Sequence, residues 1–543
     1  MAKFSTIILA AGVGSRMKSN KPKVLHSICG KSMIARITEA ALRVSDDVHI
    51  VLYHQKEVIE AHLREYFGSK LESITLHTQD CQNFPGTGGA LMDSSGKLID
   101  LAHDRLVVLN GDMPLISPQS IATIAHTQAP IVVSTITLEN PSGYGRVLVD
   151  PSGQITQIIE EKDCNQAQKA ITLVNAGIYG FDRELLERSL PRLSNDNAQQ
   201  EYYLTDVIAL AKEQWDSALR DKSLIASRAR RLHTPSMRPC TRSQSKDFSS
   251  QILESCSEMD KQTSATPKIL EDDKQAGREK SCREQTDLES TFDTATHEPA
   301  KDSRIVELES SAPNRIKIAP FYGNPREFMG VNSKSELAQA ESIRLQELRQ
   351  RAMDQGVIMR LPESIYLEEW VEFEGECEIE NNVRICGKSI IKHSHIKASS
   401  VVEDSVIEHS DIGPMAHIRP KSHISHTHIG NFVETKAAHL DGVKAGHLSY
   451  LGDCEIGSGS NVGAGVITCN YDGKQKHRTI IGQNVFIGSD TQLVAPVEIE
   501  SSAIIGAGST ITTNVKSGEL ALSRTKQSNI AGFFYRFFAK PKA

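Results

Sequence analysis

A chain of 543 residues is longer than one hydrophobic core ordinarily serves, so two or more domains are expected. A formal net charge of −7 calls for no nucleic-acid partner, and an aromatic content of 5% suits narrow aliphatic interiors. The ten cysteines are dispersed, with no CxxC pair and no zinc-type Cys/His spacing, as free thiols of a reducing cytoplasm would be. No basic leader precedes an apolar stretch and no twenty-residue apolar span occurs, so a cytoplasmic protein without an integral membrane segment is expected.

Residues 1–212 alternate short apolar runs (STIILAA, HIVLYH, SITLHT, RLVVLNGD, IVVSTITL, GRVLVD) with amphipathic segments (SMIARITEAALRV, KEVIEAHLREYF, SIATIAHT). That alternation predicts an α/β fold with helices on both faces of a sheet. The first strand runs into LAAGVGSRM and then KPKVLH. A glycine-containing turn after a first strand can cradle phosphates on backbone N–H groups, with Arg16, Lys21 and Lys23 neutralising their charge. The spacing is neither GxxxxGK[ST] nor a full GxGxxG, so on spacing alone a tight turn with a solvated basic patch is an equal reading.

The combination of LAAGVGSRM with PKVLH resembles the signature of sugar-nucleotide pyrophosphorylases, whose catalytic domain is Rossmann-like (GT-A-like). That resemblance implies a UTP site using Leu9, Ala10, Gly12 and Lys23, with Arg16 and Lys23 as its catalytic cations, PGTGGAL placing Gly86 and Thr87 against uracil, and Gln79 as their upstream partner. It also implies that Asp112 in LNGDMPLI binds Mg²⁺, at a strand end where open α/β sheets hold ligands. Gly145 in GYGR, Glu160 in IIEEKD and Asn175 in VNAGIYGF would face the sugar, and Asn332 in FMGVN would be the second protein ligand to the metal.

From 213 to 315 the chain turns polar, with SQSKDFSSQ, SEMDKQTSATPK and ATHEPAKDSR too poor in apolar residues to offset their ordering entropy. This insertion, expected to be mostly disordered and dispensable over about residues 222–310, contains Cys240, Cys256 and Cys282. Residues 316–333 read as a return segment of the nucleotidyltransferase domain. SKSELAQAESIRLQELRQRAMDQG then reads as a connecting helix over 334–356, with Gly356 to end it.

From 357 to 530 a six-residue beat takes over. Ile365, Val371, Cys377 and Val383 keep it; so do Ile412, Ile418 and Ile424, and finally Ile481, Ile487, Leu493, Ile499, Ile505 and Ile511. Leu451, Ile456 and Val462 keep it with one short step. Period six fits neither helix nor isolated strand but a parallel β-helix of hexapeptide repeats. NFVETKAAHLDGVKAGHL and TCNYDGKQKHRTI interrupt the beat and are expected to be loops carrying binding residues. The closing segment 531–543 is aromatic and basic, which suits packing on a partner subunit and leaves contact with a membrane surface open.

KAGHLSYLGD supplies a histidine, His447, suited to general-base work near neutral pH; His393, His395, His409, His423, His426 and His428 are expected to face solvent. KAGHLSYLGD and ITCNYDG, together with the N-terminal motifs, resemble the GlmU family of bifunctional UDP-N-acetylglucosamine-forming enzymes over about residues 3–212 and 316–530. The resemblance implies a left-handed β-helix acting as a homotrimer. His447 would be the base for acetyl transfer from acetyl-coenzyme A to glucosamine 1-phosphate. Arg419, Lys436, Tyr450, Asn461, Asn470 and Tyr471 would bind that substrate, and Ser489, Ala507 and Arg524 the acetyl donor. N-acetylglucosamine 1-phosphate and UTP would then react in the N-terminal half, giving a precursor of peptidoglycan and, where present, lipopolysaccharide. Alternatives are a uridylyltransferase with a merely trimerising solenoid, a related enzyme with another sugar or nucleotide, and a purely structural solenoid.

Overall fold

The computed structural model describes residues 3–197, 199–213 and 316–538. The polar insertion and its three cysteines lie outside the described residues except at the insertion's first position. The seven described cysteines are all free thiols.

The N-terminal sheet is built on Ser5–Ala10, five of whose six residues are buried, so both faces must be covered. It pairs in parallel with Asp47–Leu52 on one side and Arg105–Asn110 on the other, and Ile74–Thr78 closes that first edge. Beyond Arg105–Asn110 the sheet turns mixed. Leu173–Asp182 enters antiparallel, followed by Ile131–Thr137 and then Ile318–Tyr322, the first strand after the insertion. A hairpin of Arg146–Val149 and Ile155–Ile159 hangs from Leu173–Asp182. The helix Met33–Leu42 is buried along most of its length and is capped by the Ser32 hydroxyl, which accepts from Ala35 N–H.

The helix Lys334–Asp354 follows, opened by a capping box in which the Ser333 and Glu336 side chains satisfy each other's backbone N–H groups. Ala340, Leu345, Leu348 and Ala352 are its buried face, in one continuous core with Ile28, Cys29 and Met33 of the first domain and Ile365 and Leu367 of the solenoid. An ion-pair triad fixes this junction: Glu369 accepts from Arg36 at 2.9 Å and from Arg344 Nε at 3.0 Å. Burial raises the Glu369 carboxyl, but Arg344 and Arg36 outweigh it and hold the group down at about 2. Burial likewise pushes the Cys29 thiol up to about 12, so it is a structural rather than a reactive cysteine.

The solenoid consists of three parallel sheets of ten, nine and eight strands, each strand paired with one from the next turn. The expected hexapeptide β-helix is therefore present, and Ile481, Ile487, Leu493, Ile499, Ile505 and Ile511 all point inward, at most 5% exposed. One expectation is corrected. Residues 431–448 are not a loop but one regular turn of the solenoid, with strands Glu434–Lys436, His439–Asp441 and Lys444–His447 on its three sides. Their inward residues are Thr435, Leu440 and Ala445, spaced by five and carrying a hydroxyl or a single methyl in two of three cases, which hides the beat. The interruption after Ile467–Cys469 does leave the stack, as a small hairpin closed by a Tyr471–Lys476 bridge. The solvent-facing histidines form surface ladders: the rings of His393, His409 and His426 stack at 4.8 and 5.2 Å, while His395 and His428 bond to Glu380 and Asp411.

Glu369→Gln should destabilise the protein at pH 7 by about 3 kcal/mol in a guanidinium titration, since the buried Arg36 loses its carboxylate and Arg344 keeps only the more exposed Glu347. The folded carboxyl sits at about 2 against an ordinary 4.5, so its contribution is complete above 4.5 and is lost as pH falls towards 2. The gap between wild type and variant should narrow over that interval.

Candidate active sites

The first site lies at the carboxyl ends of the parallel strands. A cavity of about 500 Å³ there is lined by Leu9, Ala10, Gly12, Lys23, Gln79, Gly86, Thr87 and Asp112, all residues expected at the nucleotide. Strand register brings Leu9 beside Asn110, and Gly111 N–H donates to Leu9 O at 2.8 Å, which sets Asp112 over the glycine turn. The Gly86–Thr87 loop, expected at the base, is held from two sides. Gln79, 6% exposed, spends its amide N–H₂ on Phe84 O at 3.0 Å and Gly86 O at 2.9 Å, leaving its Oε1 as acceptor. Thr87 Oγ1 accepts from Leu204 N–H at 3.1 Å, and Tyr202 N–H donates to Pro85 O at 2.8 Å. Gly86 sits at φ +93°, where an added Cβ would lie 2.7 Å from Tyr202 O.

At the cavity mouth three distant segments meet. Lys23 Nζ bonds to Asp112 Oδ2 and, at 2.6 Å, to Asn332 Oδ1, a residue 309 positions away; Arg16 Nη2 reaches the same Asn332 oxygen at 2.9 Å. Asn332 is held in turn by Glu336, whose Oε2 accepts its backbone N–H at 2.6 Å. Asp112 and Asn332 thus offer two hard oxygen donors on one cation, a donor set that suits Mg²⁺ completed by phosphate oxygens and water. Among the described residues no group of three or more His, Cys, Asp or Glu side chains is arranged to cage a metal without such help.

The residues expected at the sugar form a second cluster. Asn175 N–H donates to Gly145 O at 2.8 Å, and a Cβ on Gly145 would stand 3.5 Å from Glu160 Oε2. Burial raises the Glu160 carboxyl above its ordinary value. Asn175 uses its amide within its own bulge, donating to Tyr179 Oη at 2.6 Å and accepting from Gly177 N–H at 3.0 Å. The run EYYLTD carries no site motif, yet Glu201 lines the same cavity and Tyr202 and Leu204 brace the Gly86–Thr87 loop. Its signal was a polar and aromatic stretch directly after a turn-rich segment.

The second site follows the geometry of the solenoid. Arg419 and Lys436 lie on successive turns, Arg419 N–H donating to Thr435 O at 2.9 Å, and Tyr450 pairs with Glu434 on the same outward face. Arg419 is steered by Glu434 at 2.8 Å. Asn470 Nδ2 reaches Tyr450 Oη at 3.4 Å and also bonds Asp453; Gly452 makes room, since a Cβ there would meet both Tyr450 and Asn470 within 2.7 Å. Tyr471 is 56% exposed, its ring covered by Lys476 Nζ at 4.5 Å. Asn461 belongs to the neighbouring sheet, in register with Lys444 and away from this group.

His447 ends the strand Lys444–His447 at a corner of the solenoid, exposed, with no side-chain hydrogen bond among the described residues. The same corner continues through Ala464 and Gly465, Ser489, Ala507 and Arg524, each turn bonded to the next, ending with Arg524 Nη1 on Ala507 O at 2.6 Å. Four turns at the usual interstrand spacing put Arg524 roughly 19 Å from His447.

Residues 6–171 match the family described as MobA-like NTP transferase domain, and residues 478–513 match bacterial transferase hexapeptide repeats. Over 539 residues, 99% of this chain and 100% of the relative, the chain is 45% identical to the bifunctional protein GlmU of Wolinella succinogenes. It is 44% identical to the same-named proteins of Campylobacter curvus, over 100% of both chains, and of Helicobacter pylori, over 99% of this chain and 100% of the relative. The chain belongs to the bifunctional GlmU family. Its two halves are accordingly a nucleotidyltransferase and a hexapeptide acetyltransferase. No helix among the described residues is long and apolar enough to cross a membrane.

Gly86→Ala should raise the KM for UTP on the order of tenfold to a hundredfold, because the base loop must yield both its backbone conformation and its contact with Tyr202. Acetyl-coenzyme A-dependent thiol release by the same variant should be unchanged, which steady-state kinetics with each substrate set would establish.

Proposed function

We propose that the chain forms UDP-N-acetylglucosamine in two steps at two separate sites, acetylating glucosamine 1-phosphate on the solenoid and uridylating the product in the N-terminal cavity. The observation that carries the second step is the meeting of Lys23, Arg16, Asp112 and Asn332 at the mouth of a cavity whose wall is the Gly86–Thr87 loop. The phosphate oxygen of N-acetylglucosamine 1-phosphate attacks the α-phosphorus of UTP; that P–O bond forms as the bond to pyrophosphate breaks. The nucleophile is already an anion, so no side chain need remove a proton, and positioning and charge neutralisation do the work. Lys23 and Arg16 offset phosphate charge, Gln79 Oε1 accepts from the uracil imide, and Glu160 orients sugar hydroxyls beside Gly145. Mg²⁺ held by Asp112 and Asn332 would supply further positive charge to the phosphates.

For acetyl transfer the amine of glucosamine 1-phosphate attacks the thioester carbonyl, and His447 Nε2 or Nδ1 takes the proton that the amine sheds. Coenzyme A leaves as a thiolate and is protonated. Arg419 and Lys436 suit the sugar phosphate, with Tyr450, Asn470 and Tyr471 around the sugar and acetyl group. The corner column from His447 to Arg524 suits an extended donor, with its thioester at the histidine and its phosphates at the arginine. Asn461 joins them only if a neighbouring subunit completes the site. A homotrimer is supported by Met415, Phe432 and Leu448, apolar side chains 50, 55 and 63% exposed on the corner that carries His447. All three hold positive φ, a conformation that costs a non-glycine residue about 1–2 kcal/mol.

His447→Ala should lower acetyl transfer by about 10²- to 10⁴-fold, as removal of a general base does, and leave pyrophosphate release from UTP and N-acetylglucosamine 1-phosphate intact. Undiminished thiol release would instead make the solenoid a scaffold. A panel with dTTP and glucose 1-phosphate tests the nucleotide and sugar choice.

A further inference from the structure

Lys23 is an unusual neighbour for two metal ligands. Its side chain is 12% exposed and its ammonium lies on Asp112 Oδ2 and Asn332 Oδ1 together, with the Arg16 guanidinium on the second of these oxygens. One carboxylate and one amide oxygen therefore already serve two cations. A divalent ion binding to the same pair would be held by a single negative charge while two positive charges stood against it, in a partly buried site where screening by water is weak.

We propose that Lys23 is an internal counter-ion that competes with the metal for Asp112 and Asn332, so that the site takes up metal effectively only when nucleotide phosphates draw the lysine away. This rests on the assignment of Asp112 and Asn332 as metal ligands. The triphosphate offers Lys23 and Arg16 a stronger anionic partner than a shared carboxylate, and their departure frees both oxygens. Metal and nucleotide then favour each other's binding, a reciprocal coupling rather than two independent events. Free divalent ion at cellular concentration would leave the empty enzyme in its lysine-closed form, and the metal–nucleotide pair would open it. The same lysine thus weakens binding of one ligand and strengthens binding of the other, a pairing of opposite signs that a purely structural ion pair does not produce.

Mn²⁺ binding to the nucleotide-free full-length protein, read from the free-ion electron paramagnetic resonance signal, separates the possibilities. Wild type, Lys23→Met and the double variant Lys23→Met with Asp112→Ala are compared, and UTP binding in chelator is measured by calorimetry. Lys23→Met should bind Mn²⁺ about tenfold more tightly than wild type or better, and UTP about tenfold more weakly, while the double variant loses the gained Mn²⁺ affinity. Unchanged or weaker Mn²⁺ binding by Lys23→Met overturns the counter-ion role. A double variant that binds Mn²⁺ as tightly as Lys23→Met overturns the assignment of Asp112 as a ligand, and the proposal with it.

Discussion

The carboxylate of Glu336 ties the Lys23–Asp112–Asn332 cluster to the helix that packs on the solenoid. It accepts the N–H groups of Asn332 at 2.6 Å and Ser333 at 2.8 Å, and so begins the helix Lys334–Asp354 while fixing the residue that faces Asp112 and Lys23. Val331 N–H donates to Asp112 O at 2.8 Å, which locks the same turn to the glycine side of the site. The consequence is mechanical. The cluster around Asn332 and the helix that packs on the solenoid are joined by one capping box, and a residue 309 positions from Lys23 arrives within hydrogen-bond reach of it.

The two halves solve different chemical problems with correspondingly different materials. Phosphoryl transfer needs charge at fixed positions and no proton acceptor, and the first site is built of lysine, arginine, a carboxylate and backbone groups on a buried sheet. Acetyl transfer needs a base and a long donor held straight. A solenoid provides a straight rail with a constant step, and His447 stands at one end of a corner column that finishes at Arg524. The junction triad of Arg36, Glu369 and Arg344 joins the halves without belonging to either site.

Much of this was legible in the residues, for identifiable reasons. The aliphatic beat from Ile481 to Ile511 shows because each of the three sides of a turn there is six residues long with a large apolar side chain inward. It fails over 431–448 because Thr435 and Ala445 take inward positions and the step drops to five, so a regular turn reads as a loop. The antiparallel strand Leu173–Asp182 carries Asn, Ala and two Gly among its apolar residues, and a bulge between Asn175 and Tyr179 spoils its period. Lys23, Asp112 and Asn332 were found as motifs, but their hydrogen bonds to one another depend on tertiary closure that no local pattern encodes. Tyr202 and Leu204 were missed because they act through backbone atoms, which leave no mark on side-chain identity.

The most direct test of two coupled but separate chemistries is one reaction mixture of glucosamine 1-phosphate, acetyl-coenzyme A, UTP and Mg²⁺, with free thiol and pyrophosphate followed independently. Thiol should appear first and pyrophosphate after a lag, and omission of acetyl-coenzyme A should suppress pyrophosphate until N-acetylglucosamine 1-phosphate is added. Pyrophosphate released at full rate from glucosamine 1-phosphate and UTP alone, with no thiol formed when the donor is restored, would contradict the account.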